Sequence, residues 1–224
     1  MIGTLRESSI HATLKQIYKE AGDKIEKSVD RYVIDIVRDK LLIEIQTQNF
    51  STIRKKLENL IQNYRVLLIY PIIQDKWIIN LDSTCKKILR KRLSPKHGSL
   101  LNVFRELIYI SDLISNPNLI IEVILIQAEE IRINDGLGSW KRKGWSIHDR
   151  KLLRILNHKI FSSPKQFLEF LPKELKIPFS NQNLVNSLNI SIKLARKMTY
   201  SLRKMNLLKV VKKAGNAYLF NINF

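Results

Sequence analysis

The chain has 224 residues, with 39 Lys and Arg against 20 Asp and Glu, a formal net charge of +19, and 45% hydrophobic residues. With 7 Gly, 6 Pro and 1 Cys it fits neither a disordered nor a collagen-like class, and it lacks the cysteines for an intramolecular disulfide or a structural zinc site. The apolar runs at 66–73 and 119–126 are too short to span a bilayer, and the N-terminus has no apolar secretory core. The expectation is a soluble, cytoplasmic protein without a membrane partner.

Taken in chain order, residues 4–21 place Ile10, Leu14, Ile17 and Ala21 on one stripe and predict a helix that stops at Gly22. Residues 31–37 (RYVIDIV) and 41–47 (LLIEIQT) are rich in β-branched side chains and predict an antiparallel hairpin. A second helix is expected over 52–64, capped by Ser51, with Ile53, Leu57, Leu60, Ile61 and Tyr64 on one face. Residues 66–70 (VLLIY) predict a strand buried on both faces, and 77–81 a further strand. The α-β-β-α-β order implies an α/β domain, a mixed sheet flanked by helices.

Residues 100–114 read as helical and 119–133 as a long β segment. Between them and the C-terminal part lies a glycine-bearing loop, 135–145, with Trp140, Trp145, Lys141, Arg142 and Lys143. That loop either stacks on nucleic acid or closes a domain seam. From 146 onward, helices are expected near 146–157, 164–171, 181–188 and 192–206. Two short strands follow, 208–212 and 217–222. The predicted boundary therefore separates 1–145, with its core in 4–82 and an extension over 83–145, from a mostly helical unit at 146–224.

Charge is distributed unevenly. Residues 1–82 carry 13 basic and 11 acidic side chains, residues 83–145 carry 11 and 6, and residues 146–224 carry 15 and 3. Six bases and no acid fall within 86–96. This asymmetry points to a polyanion, nucleic acid before anionic lipid, as partner of the C-terminal part. In the helix expected at 192–206, Ala195, Met198, Leu202 and Met205 form an apolar stripe. Lys193, Arg196, Lys197, Tyr200, Arg203 and Lys204 occupy the opposite face. A helix of this kind suits a DNA groove, with Lys212 and Lys213 of the hairpin on flanking phosphates. Helices followed by a turn-linked hairpin resemble a winged helix-turn-helix domain over 146–224.

Two carboxylates interrupt the first predicted hairpin, Asp35 in Val-Ile-Asp-Ile-Val and Glu44 in Leu-Ile-Glu-Ile-Gln. An acid inside an apolar strand is costly unless a cation or hydrogen bonds compensate it. Glu44 and Gln46, two residues apart, share a strand face, and such oxygen donors suit Mg²⁺ or Mn²⁺. On these residues and the order of elements, residues 4–82 resemble the PD-(D/E)XK nuclease superfamily, the restriction-endonuclease-like fold. The resemblance implies that Asp35, Glu44 and the Ile45 carbonyl bind a catalytic divalent metal, with Glu7 extending the shell from the first helix. His11, on the same side, reads as structural.

The chain departs from that pattern at Gln46, which stands where the family carries lysine. Lysine charge helps to position water and to stabilise the developing phosphorane, and Lys56, rather than Lys55, is the candidate replacement from the following helix. The implied activity is a metal-dependent DNA endonuclease or structure-selective nuclease, with a homodimer as one arrangement such folds use. The alternative is a non-catalytic DNA-binding regulator on a degenerate nuclease fold. Phosphate-loop and GxSxG motifs are absent, and the four histidines lack metal-ligand spacing.

Overall fold

A computed structural model describes residues 8–82 and 84–223. Helix α1 (Ser9–Tyr18) begins where the Ser8 side chain accepts the His11 N–H and ends at Lys19, which is already extended. It is shorter at its C-terminus than predicted, and Ile17 is exposed while Ile10 and Leu14 are buried. The part of that predicted helix before Ser8, Glu7 included, lies outside the described residues.

Strands β1 (Lys24–Val29), β2 (Tyr32–Arg38) and β3 (Leu41–Ile45) form an antiparallel meander. The polar β1 carries no apolar alternation, which is why the sequence did not announce it. Helix α2 (Phe50–Leu60) crosses over to β4 (Arg65–Leu81), which runs parallel to β3. The helix starts at Phe50, after Asn49 in the left-handed region at φ 59°, rather than behind Ser51 as predicted.

The two strands expected at 66–70 and 77–81 are one. β4 continues through both, with a register shift between Ile73 and Asp75 that absorbs the polar residues between them. Pro71 falls between the stretch of β4 paired with β3 and the stretch paired with β5 (Ile88–Leu93), where a missing N–H is tolerated. The basic run at 86–96 thus supplies an edge strand. Residues 100–114 contain a 3₁₀ turn and the single-turn helix α3 (Phe104–Leu107) in place of one long helix.

β6 (Leu119–Asn134) runs parallel to β4, and β7 (Trp145–Phe161) is antiparallel to β6, giving the order β1-β2-β3-β4-β6-β7 with β5 on β4. The helix predicted near 146–157 is therefore corrected to a strand. Its Leu152, Leu153 and Leu156 mimic a helical repeat, but the long apolar β6 offers a continuous ladder, and tertiary pairing overrides that weak local signal. Residues 146–161 belong to the large sheet, and the predicted boundary at 145/146 cuts into it.

After Phe161 come a 3₁₀ segment (Pro164–Phe170), α4 (Asn181–Leu188), α5 (Ile192–Lys204) and the hairpin β8 (Leu208–Ala214) and β9 (Ala217–Ile222). The sheet is covered on both faces. On one, Ile10 and Leu14 of α1 pack on Ile36, Ile43, Ile45 and Ile69. On the other, Ile53, Leu57 and Leu60 of α2 pack on Leu42, Val66 and Leu68. Each such buried side chain contributes about 1.5–3 kcal/mol. The architecture is a mixed sheet flanked by helices.

Candidate functional site

The β2–β3 ladder stops at the pair Ile36–Ile43. One step further on, Asp35 lies across from Glu44, and there a side chain replaces the backbone: Asp35 Oδ2 accepts the Ile45 N–H at 2.9 Å. Ile34 and Ile36 flank Asp35, yet Ile34 packs in the α2-side core and Ile36 in the α1-side core. A flat strand would place both on one face, so β2 twists at Asp35 and presents its carboxylate where the two strands part.

Helix α1 reaches this opening from one side. His11 Nε2 is 3.1 Å from Asp35 Oδ2. Helix α2 reaches it from the other, with Lys56 Nζ 2.5 Å from Glu44 Oε1 and donating to the Val33 carbonyl at 2.6 Å. Lys55, one residue earlier, is exposed. Gln46 is engaged elsewhere. Its Nε2 donates to the Gln48 carbonyl at 2.5 Å and to that of Asn49 at 3.4 Å, bracing the turn into α2.

Electrostatics separate the two acids. Burial pushes Glu44, 4% exposed, up to about 7, and the nearby Asp35 charge adds to the rise while Lys56 opposes it. Burial also acts upward on Asp35, but His11, the Ile45 N–H and Lys56 outweigh it and hold this carboxyl below its ordinary value. Two carboxylates driven apart at one opening form the kind of site in which acid–base and ligand roles divide.

The fit to a divalent cation rests on Glu44. Glu44 is a buried hard oxygen donor near Asp35, and its Oε1 meets the Lys56 ammonium at 2.5 Å, a contact a bound cation would share. Ile45, whose carbonyl the resemblance assigns to the metal, is buried on β3. Among the described residues no three His, Cys, Asp or Glu side chains converge as a ligand cluster. The carboxylate that the resemblance adds, Glu7, is outside those residues.

The C-terminal basic residues separate into groups. Arg196, Tyr200 and Arg203 line a cleft of ≈ 680 Å³ together with Asn181 and Tyr218. Lys193, Lys204, Lys212 and Lys213 are exposed, and Lys204 Nζ lies 5.9 Å from the Tyr200 ring centroid. Lys197 differs, because its Nζ donates to the Arg105 carbonyl at 2.9 Å and so ties α5 to α3. His11, which the sequence reads as structural, meets Asp35 from α1. The available signal was its helical phase, one turn after Ser8 and one before Leu14.

The chain belongs to the family described as "Domain of unknown function (DUF8091)", which matches residues 8–162. The match begins at the cap of α1 and ends one residue beyond β7, so it takes in the whole large sheet and stops before α4, α5 and the β8–β9 hairpin. A Treponema pallidum (strain Nichols) protein named "Uncharacterized protein" is 28% identical over 189 residues, 83% of this chain and 74% of the relative. No solved structure matches the chain. Among the described residues no helix is long and apolar enough to cross a membrane.

Proposed function

We propose that the protein is a Mg²⁺- or Mn²⁺-dependent nuclease of the PD-(D/E)XK type, acting on DNA that its C-terminal helices and hairpin hold as a winged helix does. The observation that carries this reading is Lys56. The strand position that bears the family's lysine holds Gln46, and the ammonium of Lys56 stands against Glu44 and acts on Asp35, returning a positive charge to the carboxylate pair from the neighbouring helix.

In this reading Asp35, Glu44 and the Ile45 carbonyl would hold the cation. When bound, a divalent ion supplies Lewis acidity to a phosphodiester and lowers the pKa of coordinated water. Asp35 is kept ionised and oriented by His11 and the Ile45 N–H. Lys56, braced by the Val33 carbonyl, contributes fixed charge where negative charge develops on the phosphate, a role in which one donor is worth on the order of 10²–10³-fold in rate.

The test is cleavage of single-stranded, duplex and branched DNA by the full chain with either metal. Asp35→Ala and Glu44→Ala should abolish cutting and leave DNA affinity near that of the parent, and Lys56→Met should slow it on the order of 10²-fold. Carboxylate variants that cut as well as the parent would overturn the site. The non-catalytic regulator draws on one observation, the Gln46 amide turned away onto the Gln48 carbonyl. DNA binding by a chain that never cuts with either metal would support it.

A further inference from the structure

Strands β6 and β7, paired with the sheet through Ile133, are joined by a finger at residues 135–145, where Trp140 is 82% exposed and Leu137 86% exposed. The finger's own bonding makes no use of the Trp140 ring. Gly138 N–H donates to the Gly144 carbonyl at 3.1 Å, Arg142 Nε donates to the Trp145 carbonyl at 3.0 Å, and Ser146 Oγ donates to Asp135 at 2.6 Å. A Cβ on Gly138 would fall 2.0 Å from the Trp145 carbonyl oxygen, so the two arms touch through a position that only glycine fits. The tip is a braced turn holding a large ring in water.

The seam reading of this loop is thereby excluded for Trp140. Lys141 Nζ stands 5.5 Å from the centroid of its ring, Lys143 is exposed in the same turn, and Arg142 is turned back onto the Trp145 carbonyl. Asp135, the one acid between 135 and 145, is engaged within the turn by the Ser146 hydroxyl and the Leu137 N–H. An exposed aromatic ring with a lysine beside it and a second exposed lysine in the same turn complements a stacked base with its phosphate alongside. The finger is linked to the candidate site through β7 and α1. Asp149 of β7 accepts the N–H and hydroxyl of Ser9 on α1, two residues from the His11 that meets Asp35, and Trp145 lies about 13 Å further along the strand, at ~3.3 Å per residue.

We propose that Trp140 is a stacking platform for an unpaired base of single-stranded or frayed nucleic acid, directed by the finger to the strand that lies in the carboxylate site. This rests on the nucleic-acid reading above and adds the substrate form to it. A membrane surface is the competing partner for an exposed Trp and Leu beside lysines. The overall charge of +19 and the further bases Lys151 and Arg154 along β7 favour a linear polyanion.

The experiment measures anisotropy of a labelled single strand, and of a duplex of the same sequence, with the full chain in EDTA so that nothing is cut. Trp140→Ala should weaken single-strand binding about tenfold, Trp140→Phe should restore most of it, and the salt slope should stay as in the parent, since no phosphate contact is lost. Duplex affinity should change less than about twofold. The proposal is overturned if Trp140→Ala binds the single strand as the parent does, if the alanine and phenylalanine variants lose equally, or if phosphatidylserine vesicles shift tryptophan emission while the strand does not. A parent that binds no strand removes this inference and the nucleic-acid reading together. Stacking behaviour without cleavage by any metal-loaded form removes the nuclease reading alone and leaves this one standing.

Discussion

Glu130 sits on β6 with its side chain 1% exposed, which for a lone carboxylate would be prohibitive. Three cations surround it: Lys76 Nζ at 2.7 Å, Arg132 Nη2 at 2.5 Å and Arg150 Nε at 3.1 Å. Burial pushes its pKa up, yet the hydrogen bonds and charges of these partners prevail and bring it from 4.5 down to about 2. A carboxyl depressed in the fold adds stability that is complete above its unfolded value and is lost as pH falls through the folded one. Acid should therefore cost the protein on the order of 3 kcal/mol between about pH 4.5 and 2 from this group, at ~1.4 kcal/mol per unit. Urea unfolding at several pH values checks this, and Glu130→Gln should flatten the dependence over that window. Glu44 is the contrasting case, a buried acid with one ammonium beside it and a raised pKa. Glu130 is fully compensated by three cations, whereas Glu44 is only partly compensated at an opening in the sheet, the contrast on which the proposed site draws.

At the scale of the element, α5 separates a packed face from an exposed basic face by helical phase. Leu194, Ala195, Met198 and Leu202 are buried, Lys197 reaches across to α3, and Arg196, Tyr200 and Arg203 face the open cleft. Replacing Arg196 and Arg203 together with alanine should weaken DNA binding by about 2–5 kcal/mol with an unchanged Tm, at ~1–3 kcal/mol per contact. Lys197→Ala should do the reverse, lowering Tm with little effect on affinity. Parent affinity should also fall steeply between about 50 and about 200 mM salt, as counterion release requires. Anisotropy titrations paired with melts separate these outcomes. A folded double variant that binds as the parent does would move the interface away from α5.

For the whole molecule, the question is whether the sheet and the C-terminal helices unfold together. Phe161 at the end of β7 stacks on Phe167 at 4.3 Å between centroids, and Phe104 of α3 meets Phe170 edge-on at 5.2 Å. One buried cluster runs from Leu57 and Phe104 through Phe161 and Phe167 to Leu184, Leu202 and Phe220. Phe167, fully buried, is the link between the parts. Thermal unfolding followed by far-UV and near-UV circular dichroism should give coincident single transitions, and Phe167→Ala should cost about 3–5 kcal/mol while loosening that coincidence.

What was legible in the sequence was local. The alternation around Asp35 and Glu44, the apolar run of β4, the ends of α4 and the two faces of α5 follow from side-chain periodicity, which a chain displays before it folds. An acid set within apolar strands announced itself in the same way. The sequence did not show that 146–157 would form a strand, that one strand would span 65–81, or that the polar β1 exists, because each depends on a partner far along the chain. The site divides similarly. Its carboxylates were readable, and Lys56 was nameable as a basic residue one helix away. That Lys56 meets Glu44, that His11 meets Asp35 and that Trp140 stands in solvent were decided by tertiary structure alone. The twist of β2 at Asp35 and the crossover of α2 bring Lys56 to Glu44 and His11 to Asp35, and no spacing within one segment encodes a meeting of α1, the β2–β3 pair and α2.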